Sequence, residues 1–243
     1  MSDGLDRQEN LPRQLAVVRQ RKLEATQSLL GGTIAIDDLD WQRASLLPGW
    51  TRAHVASHLA RNADAFLRVM GGLTSGLPIR MYGSDLERQR DIERGSERSA
   101  LELQIDLDTS AGLLNAAFDA LDSIPGDTPV ELTSGRWVRA DLLPMARLNE
   151  VVLHHLDLDC GFGWQQLDPD IARWLLEWNA YWIADRPDFP ALNIDSNSGF
   201  STRLGGRGVP VSVGGDDNLL LGWLTSRLTA DEVSDRGLPL LPA

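Results

Sequence analysis

Apolar residues recur at intervals of three and four along most of the first 158 residues. This spacing places the apolar side chains on one face of a helix and is typical of helices that pack side by side. Good helix formers fill these segments, and turn residues separate them. The pattern predicts four helices, at 11–30, 52–70, 99–124 and 140–158.

Glycine, threonine and proline set the expected ends of these helices. The glycine pairs at 31–32 and 71–72 are expected to end the first and second helices, since glycine commonly follows a last helical turn. Thr51 is a suitable N-cap for the second helix. Pro144 fits a first helical turn but would kink a helix interior, so the fourth helix either starts near Leu143 or bends.

The segments between and after these helices are shorter. Residues 76–95 are expected to form a connection with some helix near 85–93, and extended pieces are expected at 130–133 and 135–138. Beyond residue 163 the pattern predicts a tryptophan-rich helix at 169–184, paired strands at 199–204 and 209–213 around a Gly-Gly turn, a last helix at 216–229 and an edge strand at 238–241. We therefore predict an α+β protein, with a helical domain at 1–164 and a small α+β domain at 165–243.

The charge of the chain argues against one class of partner. Its 35 acidic and 23 basic residues give a net charge of −12. Nonspecific binding to nucleic acid requires a basic face, and none is visible in the sequence. An anionic substrate would therefore have to be bound by specific arginines, against the field of the protein as a whole.

Hydrophobicity and cysteine content point to the cytoplasm. The longest apolar runs fall far short of the roughly 20 residues that cross a bilayer, and residues 1–10 are polar and acidic rather than signal-like. Cys160 is the only cysteine, so an internal disulfide is excluded, which fits a reducing compartment. Any metal site must therefore be built from histidine and carboxylate. We expect a cytoplasmic protein that does not bind membranes, with a monomer as the default state.

The four histidines of the chain fall into two places, 54 and 58 in the second predicted helix and 154 and 155 in the fourth. Residues four apart lie one above the other on a helix, so His54 and His58 share one face, and Glu150 and His154 share another. Facing helices of a bundle can assemble a metal site from such side chains, and imidazole with carboxylate suits zinc. Hydrogen bonding within helix interfaces is the other interpretation, and the spacing leaves both open.

Two longer motifs surround these histidines. Residues 47–63 read LPGWTRAHVASHLARNA, and residues 149–158 read NEVVLHHLDL. Both resemble motifs of the mycothiol-dependent maleylpyruvate isomerases, which belong to the DinB-like metal-binding four-helix bundles. The resemblance extends over nearly the whole chain. It implies an antiparallel DinB-like bundle at 1–164, followed by a C-terminal domain at 165–243 that contributes to the active site.

The resemblance also implies a set of metal ligands and a cosubstrate. His58, Glu150 and His154 would bind zinc or another divalent metal, and His54 would accompany the motif without binding the ion. The cosubstrate would be mycothiol, the low-molecular-weight thiol of actinobacteria. His155 points about 100° away around the helix from its neighbour and is expected to be structural.

Three further residues are candidates for binding the substrate or acting on it. By resemblance, Arg227 in the last predicted helix is the catalytic arginine, and Arg88 is a second candidate, because a planar guanidinium suits a carboxylate. Asn62, one turn beyond the histidines of the second helix, is a candidate for substrate binding. For either arginine the alternative is a solvated surface position. For Asn62 the alternative is a hydrogen bond within a helix interface, and these alternatives stay open. Asp157 either accepts from the second ring nitrogen of His154 or is solvated.

The leading functional hypothesis is a zinc- and mycothiol-dependent cis–trans isomerase that converts maleylpyruvate to fumarylpyruvate. The thiolate would add to the cis double bond, the resulting single bond would rotate, and elimination would release the trans product. No net redox occurs, and the sequence shows no dinucleotide or P-loop motif. A mycothiol S-transferase or other thiol-dependent enzyme acting on a different electrophile is the first alternative. A non-catalytic, metal-stabilised binding or stress-response module is the second.

Overall fold

The computed structural model describes residues 15–77, 80–133, 135–184, 186, 188–206 and 208–241. The chain divides into two compact units, Met1–Gly163 and Trp164–Ala243. Helices dominate the first unit, and the second combines helices with a three-stranded sheet, which confirms the predicted α+β class. The predicted start of the first helix, at 11–14, lies outside the described residues.

Helices of very different length build the first unit. They are α1 (Leu15–Thr33), α2 (Asp38–Trp41), α3 (Arg52–Ser75), α4 (Asp85–Ser96), α5 (Ala100–Ala117) and α6 (Leu143–Asp157). Helix α3 packs against α4, α5 and α6, and α1 packs against α5 and α6, so the four long helices close a bundle. Burial of apolar side chains from several of these helices forms the core, including Trp41, Leu59, Leu103 and Val151.

Contacts between side chains give the direction of the helices that matter for the site. On α3 and α6, His58 faces Glu150 while Asn62 faces Arg147. Because the residue numbers rise on one helix as they fall on the other, α3 and α6 run antiparallel. This arrangement turns the histidine face of α3 toward the Glu150 face of α6.

The predicted N-cap of the second helix is confirmed. The Thr51 side chain accepts a hydrogen bond from the backbone N–H of His54, and the imidazole of His54 in turn contacts the backbone N–H of Thr51. A reciprocal cap of this kind satisfies two backbone donors that have no partner within the helix. It fixes the first turn of α3, one turn before His58.

The glycine pairs do not end the helices, contrary to the prediction. Helix α1 continues through Gly31 and Gly32 to Thr33, and α3 continues through its glycine pair to Ser75. The residue that ends α3 is Gly76, whose φ of 69° is the left-handed conformation that glycine adopts without strain. At Gly32 the reason for glycine is close packing instead, since a Cβ would lie 3.1 Å from Nε2 of His155.

Of the two alternatives predicted for Pro144, a helix that starts near Leu143 is confirmed. A 3-10 turn at Ala140–Leu142 precedes α6, and Pro144 lies in the first turn of α6, where its missing N–H costs no helical hydrogen bond.

The third helix is shorter than predicted. Helix α5 ends at Ala117, and a 3-10 segment continues over Phe118–Ser123. The predicted extended pieces form an antiparallel hairpin, β1 (Pro129–Thr133) and β2 (Arg136–Arg139).

The second unit contains a strand that the sequence pattern did not reveal. Its elements are α7 (Pro169–Ile183), β3 (Leu192–Ser196), β4 (Ser201–Leu204), β5 (Val211–Gly215), α8 (Asp217–Leu224) and α9 (Ala230–Asp235). The sheet order is β4-β3-β5, with β3 antiparallel to β4 and parallel to β5. The prediction that β4 and β5 pair with each other is therefore wrong, because β3 lies between them.

The end of the chain also differs from the prediction. The last helix was expected to run to residue 229, but α8 ends at Leu224, and Ser226 has a φ of 58°, which interrupts the helix. Arg227 therefore lies in a turn rather than in a helix. Residues 238–241 form no strand, and the carbonyl of Pro239 instead accepts a hydrogen bond from Nε1 of Trp223 at 2.8 Å. None of the described helices combines the length and the apolar character that crossing a bilayer requires.

Candidate metal centre

Three side chains from distant parts of the sequence meet between α3 and α6. His58 lies on α3, and Glu150 and His154 lie one turn apart on α6. Nε2 of His58 is 3.1 Å from Oε2 of Glu150, and Nε2 of His154 is 3.7 Å from the same oxygen. One candidate ligand atom from each residue lies within 4.8 Å of the others. These three side chains could therefore hold a metal ion.

The protonation states of this cluster suit a cation. Burial lowers the pKa of His58 to about 4, although the hydrogen bond with Glu150 opposes the shift. Burial alone would raise the pKa of Glu150, but the hydrogen bond from His58 and the charges around it lower that pKa to about 2. A neutral imidazole and an ionised carboxylate are the forms that bind a divalent metal, so neither residue has to change its charge near neutral pH.

Asp157 orients one of the two imidazoles. Its carboxylate accepts a hydrogen bond from Nδ1 of His154 at 2.8 Å, and its side chain is only 1% exposed. A proton held on Nδ1 leaves the lone pair of Nε2 directed at Glu150 and the cluster. Of the two interpretations of Asp157, the structure shows the contact with His154 and not a solvated carboxylate.

The donor set fits a divalent metal. Two imidazole nitrogens and one carboxylate oxygen are the ligands that zinc accepts in sites with three protein ligands. The neutral form of His58, the ionised form of Glu150 and the carboxylate behind His154 all support that use.

The other two histidines have different surroundings. His54 caps α3, and its Nε2 lies 3.1 Å from Glu93 and 3.3 Å from Ser96. His155 is buried, stacks on Phe162 with ring centroids 4.2 Å apart, and has a pKa that burial lowers to about 4. Neither ring belongs to the cluster formed by the other two histidines.

Arg88 lies beside the cluster on α4. Its Nη2 is 3.3 Å from Nδ1 of His58, and its guanidinium carbon is 5.4 Å from the centre of the Tyr82 ring. Because a guanidinium can only donate, Nδ1 accepts this hydrogen bond, and the proton of the His58 ring is the one on Nε2, directed at Glu150. Arg88 therefore contacts His58 at the ring nitrogen that does not face Glu150.

Asn62 is engaged on both sides of its amide. The side-chain oxygen accepts from Nη1 of Arg147 at 2.5 Å, and the side-chain nitrogen donates to the hydroxyl of Tyr82 at 3.3 Å. Sequence reasoning singled out Asn62 but missed Arg147, which is buried and also donates to the carbonyl of Leu59 at 3.0 Å. The available signal was its position, one turn before Glu150 on the same face of a helix.

Arg227, the predicted catalytic arginine, belongs to the second unit. It follows α8, and its backbone N–H donates to the carbonyl of Gly222 at 2.7 Å. Its Nη1 donates to the carbonyl of Thr225 at 3.1 Å. These contacts hold the turn that follows the helix, with the guanidinium folded back on it.

Comparison with known proteins identifies the family. A model of the mycothiol maleylpyruvate isomerase N-terminal domain matches residues 23–159. The chain belongs to the mycothiol maleylpyruvate isomerase family. Two solved structures share its fold, one of a mycothiol-dependent maleylpyruvate isomerase and one of a histidine-to-alanine mutant of that name. Each has a TM-score of 0.84 and 23% identity, and the match covers 96% of this chain and 97% of the other. No curated protein matches the chain significantly.

The part that matches the mycothiol maleylpyruvate isomerase family is the part that carries the cluster. Residues 23–159 include all three candidate ligands and Asp157, together with Asn62 and Arg88. Arg227 lies beyond the matched range. The family assignment is therefore made on the same segment as the candidate metal centre.

Proposed function

We propose that the chain is a zinc- and mycothiol-dependent cis–trans isomerase of maleylpyruvate-type substrates, acting in the cytoplasm. The observation that carries the proposal is the convergence of His58, Glu150 and His154 in a chain of the mycothiol maleylpyruvate isomerase family. The fold shared with a solved mycothiol-dependent maleylpyruvate isomerase over nearly the whole length of both chains supports it.

His58, Glu150 and His154 would hold the metal, and three protein ligands leave a coordination position for an external group. When bound there, the ion lowers the pKa of a thiol, which is near 8.5 for a free cysteine, so that the thiolate forms near neutral pH. Asp157 keeps the Nδ1 proton of His154 in place, which reserves Nε2 for the ion. The reaction itself then needs no oxidant or reductant.

The arginines would bind the carboxylates of the substrate. Arg88 already contacts Nδ1 of His58 as a donor. If Nε2 of His58 held a metal, the ring proton would lie on Nδ1, which could then no longer accept from Arg88. The guanidinium of Arg88 would then be available for a carboxylate of the substrate. Arg227 is proposed to bind the second carboxylate, and both act against the net charge of −12.

The proposed reaction conserves atoms and electrons. The thiolate sulfur forms a bond to a carbon of the cis double bond, and the displaced electron pair moves onto the oxygen of the conjugated carbonyl. Rotation about the resulting single bond follows. The pair then returns from oxygen, the carbon–sulfur bond breaks, and the trans product and the thiolate leave. The protein's part is to hold the thiol and the substrate in contact and to stabilise the charge on oxygen.

Isomerisation of maleylpyruvate, followed with and without mycothiol, tests the proposal. We expect turnover only with the thiol present, and loss of both metal and turnover in His58→Ala. His54→Ala is the matched control, because that ring caps α3 outside the cluster, and it should keep its metal. Turnover that is indifferent to the thiol, or no turnover at all, would contradict the proposal. A product that retains the thiol would instead indicate an S-transferase.

A further inference from the structure

A buried arginine, Arg147, lies one helical turn before Glu150 on α6 and is held by hydrogen bonds rather than by an ion pair. Arg147 is 4% exposed, and its hydrogen bonds go to two neutral oxygens, the carbonyl of Leu59 and the amide oxygen of Asn62. Among the described residues, no acidic side chain forms an ion pair with it. The charge of Glu150, one turn later on α6, is the largest of the charges that favour the protonated form of Arg147. The buried guanidinium is therefore coupled electrostatically to a candidate metal ligand.

The hydrogen bonds that start at Arg147 have a fixed direction. A guanidinium has donors only, so the atom of Asn62 that faces it must be the amide oxygen. The amide nitrogen of Asn62 then faces the hydroxyl of Tyr82, at 3.3 Å, and it too can only donate. The phenol oxygen is therefore the acceptor in this contact, and the phenol proton is left to donate elsewhere.

Tyr82 is connected to the candidate ligands through Asn62 and Arg88. Asn62, its donor, is one helical turn after His58, and Arg88, which contacts His58, covers the ring of Tyr82. Burial and then the charge of Glu150 raise the pKa of Tyr82, so the phenol keeps its proton. A neutral hydroxyl that is already polarised by a donor on its oxygen is a good donor itself.

We propose that Tyr82 is a further catalytic residue, whose hydroxyl donates a hydrogen bond to the carbonyl oxygen of the substrate, and that Arg147 and Asn62 are positioning residues that fix the direction of this bond. The proposal rests on the proposed function, in which thiolate addition moves an electron pair onto that oxygen. The hydrogen bond strengthens as the charge develops and weakens as elimination removes it, and the proton stays on Tyr82 throughout.

Two substitutions test the proposal, one by removing the hydrogen-bond donor and one by turning it away from the substrate. Tyr82→Phe removes the donor and keeps the ring. Asn62→Asp keeps the shape and gains an ion pair with Arg147, but the new carboxylate can only accept, so the Tyr82 hydroxyl turns to donate to it and away from the substrate. Removing one such donor from an active site typically lowers kcat by about 100- to 1,000-fold. We expect a loss of this size in both variants, with the KM, the metal content and the melting temperature close to those of the wild type.

Asn115→Asp is the matched control, because Asn115 accepts from another buried cation of the bundle, Lys22, at 2.7 Å. Its kcat should equal that of the wild type. A kcat within about threefold of the wild type in Tyr82→Phe or Asn62→Asp would overturn the proposal. Loss of metal in Tyr82→Phe would overturn it as well, since the hydroxyl would then support Glu150 instead. An inactive wild-type protein would overturn the proposed function and, with it, the role assigned to Tyr82.

Discussion

Asp157 orients one of the candidate metal ligands, His154, from outside the candidate metal centre. Its carboxylate is buried and bound to Nδ1 of His154. We expect Asp157→Asn to weaken metal binding by about 10- to 100-fold, because a neutral amide orients and polarises the imidazole less well than a carboxylate. Competition with a chromogenic chelator measures the dissociation constant of the metal.

Asp159→Asn is the control for that experiment. Asp159 carries the same charge two residues later, its side chain is 63% exposed, and its positive φ of 49° is one that asparagine also adopts. Metal affinity should stay within about twofold of the wild type in this variant. Equal affinity in both variants would mean that the contact between Asp157 and His154 does not tune the site.

At the scale of single residues, the sequence predicted most of the candidate site residues that lie in the first unit. Helical spacing put Glu150 and His154 on one face, and the resemblance selected His58 over His54; the structure brings the three together. Arg147 escaped prediction for a physical reason. An arginine within a helix is ordinarily solvated, and its burial here depends on the facing helix and on Asn62, which no local pattern reveals.

At the scale of elements, the two glycines at the end of α1 make a matched pair. A Cβ at Gly31 would meet nothing within 4 Å, whereas a Cβ at Gly32 would lie 3.1 Å from Nε2 of His155, a ring already held against Phe162. Alanine in a helix is more stable than glycine by about 0.5–1 kcal/mol. Gly31→Ala should therefore stabilise the protein by about that amount, and Gly32→Ala should destabilise it relative to Gly31→Ala by about 1 kcal/mol or more.

Urea denaturation of both variants gives the two free energies of unfolding. Equal stabilisation in the two variants would show that His155 can move aside without cost. Gly31 and Gly32 also explain why the end of the first helix was predicted wrongly. Glycine has two uses, ending a helix and letting another side chain approach closely, and the sequence does not say which one applies until the partner helix is in place.

The strand β3 illustrates a second limit at this scale. Leu192 and Ile194 alternate with Asn193 and Asp195, so the period is that of a strand, but asparagine and aspartate are depleted in strands. Its pairing with β4 and β5 makes it the central strand, and that pairing compensates for the weak local preference. Long helices with repeated apolar faces were predictable from local spacing; this sheet depended on contacts between distant segments.

At the scale of the whole molecule, the contribution of the second unit remains a prediction. We expect Arg227→Ala to lower kcat/KM by at least about 100-fold with the metal content unchanged, because a substrate carboxylate would lose a charged hydrogen-bonding partner. Arg236→Ala, an exposed arginine of the same unit, should leave both quantities unchanged. Steady-state kinetics of the two variants measure kcat/KM, and elemental analysis measures their metal content. An unchanged rate in Arg227→Ala would restrict catalysis to the first unit.

The proposed function requires that His58, Glu150 and His154 hold a divalent ion with a coordination position left for a thiol. The X-ray absorption spectrum of the zinc-loaded protein tests it most directly. Without thiol, we expect nitrogen and oxygen ligands only, at about 2.0–2.2 Å, and with mycothiol we expect a new sulfur ligand at about 2.3 Å. A protein that binds no zinc, or a spectrum that shows no sulfur at saturating thiol, would contradict it.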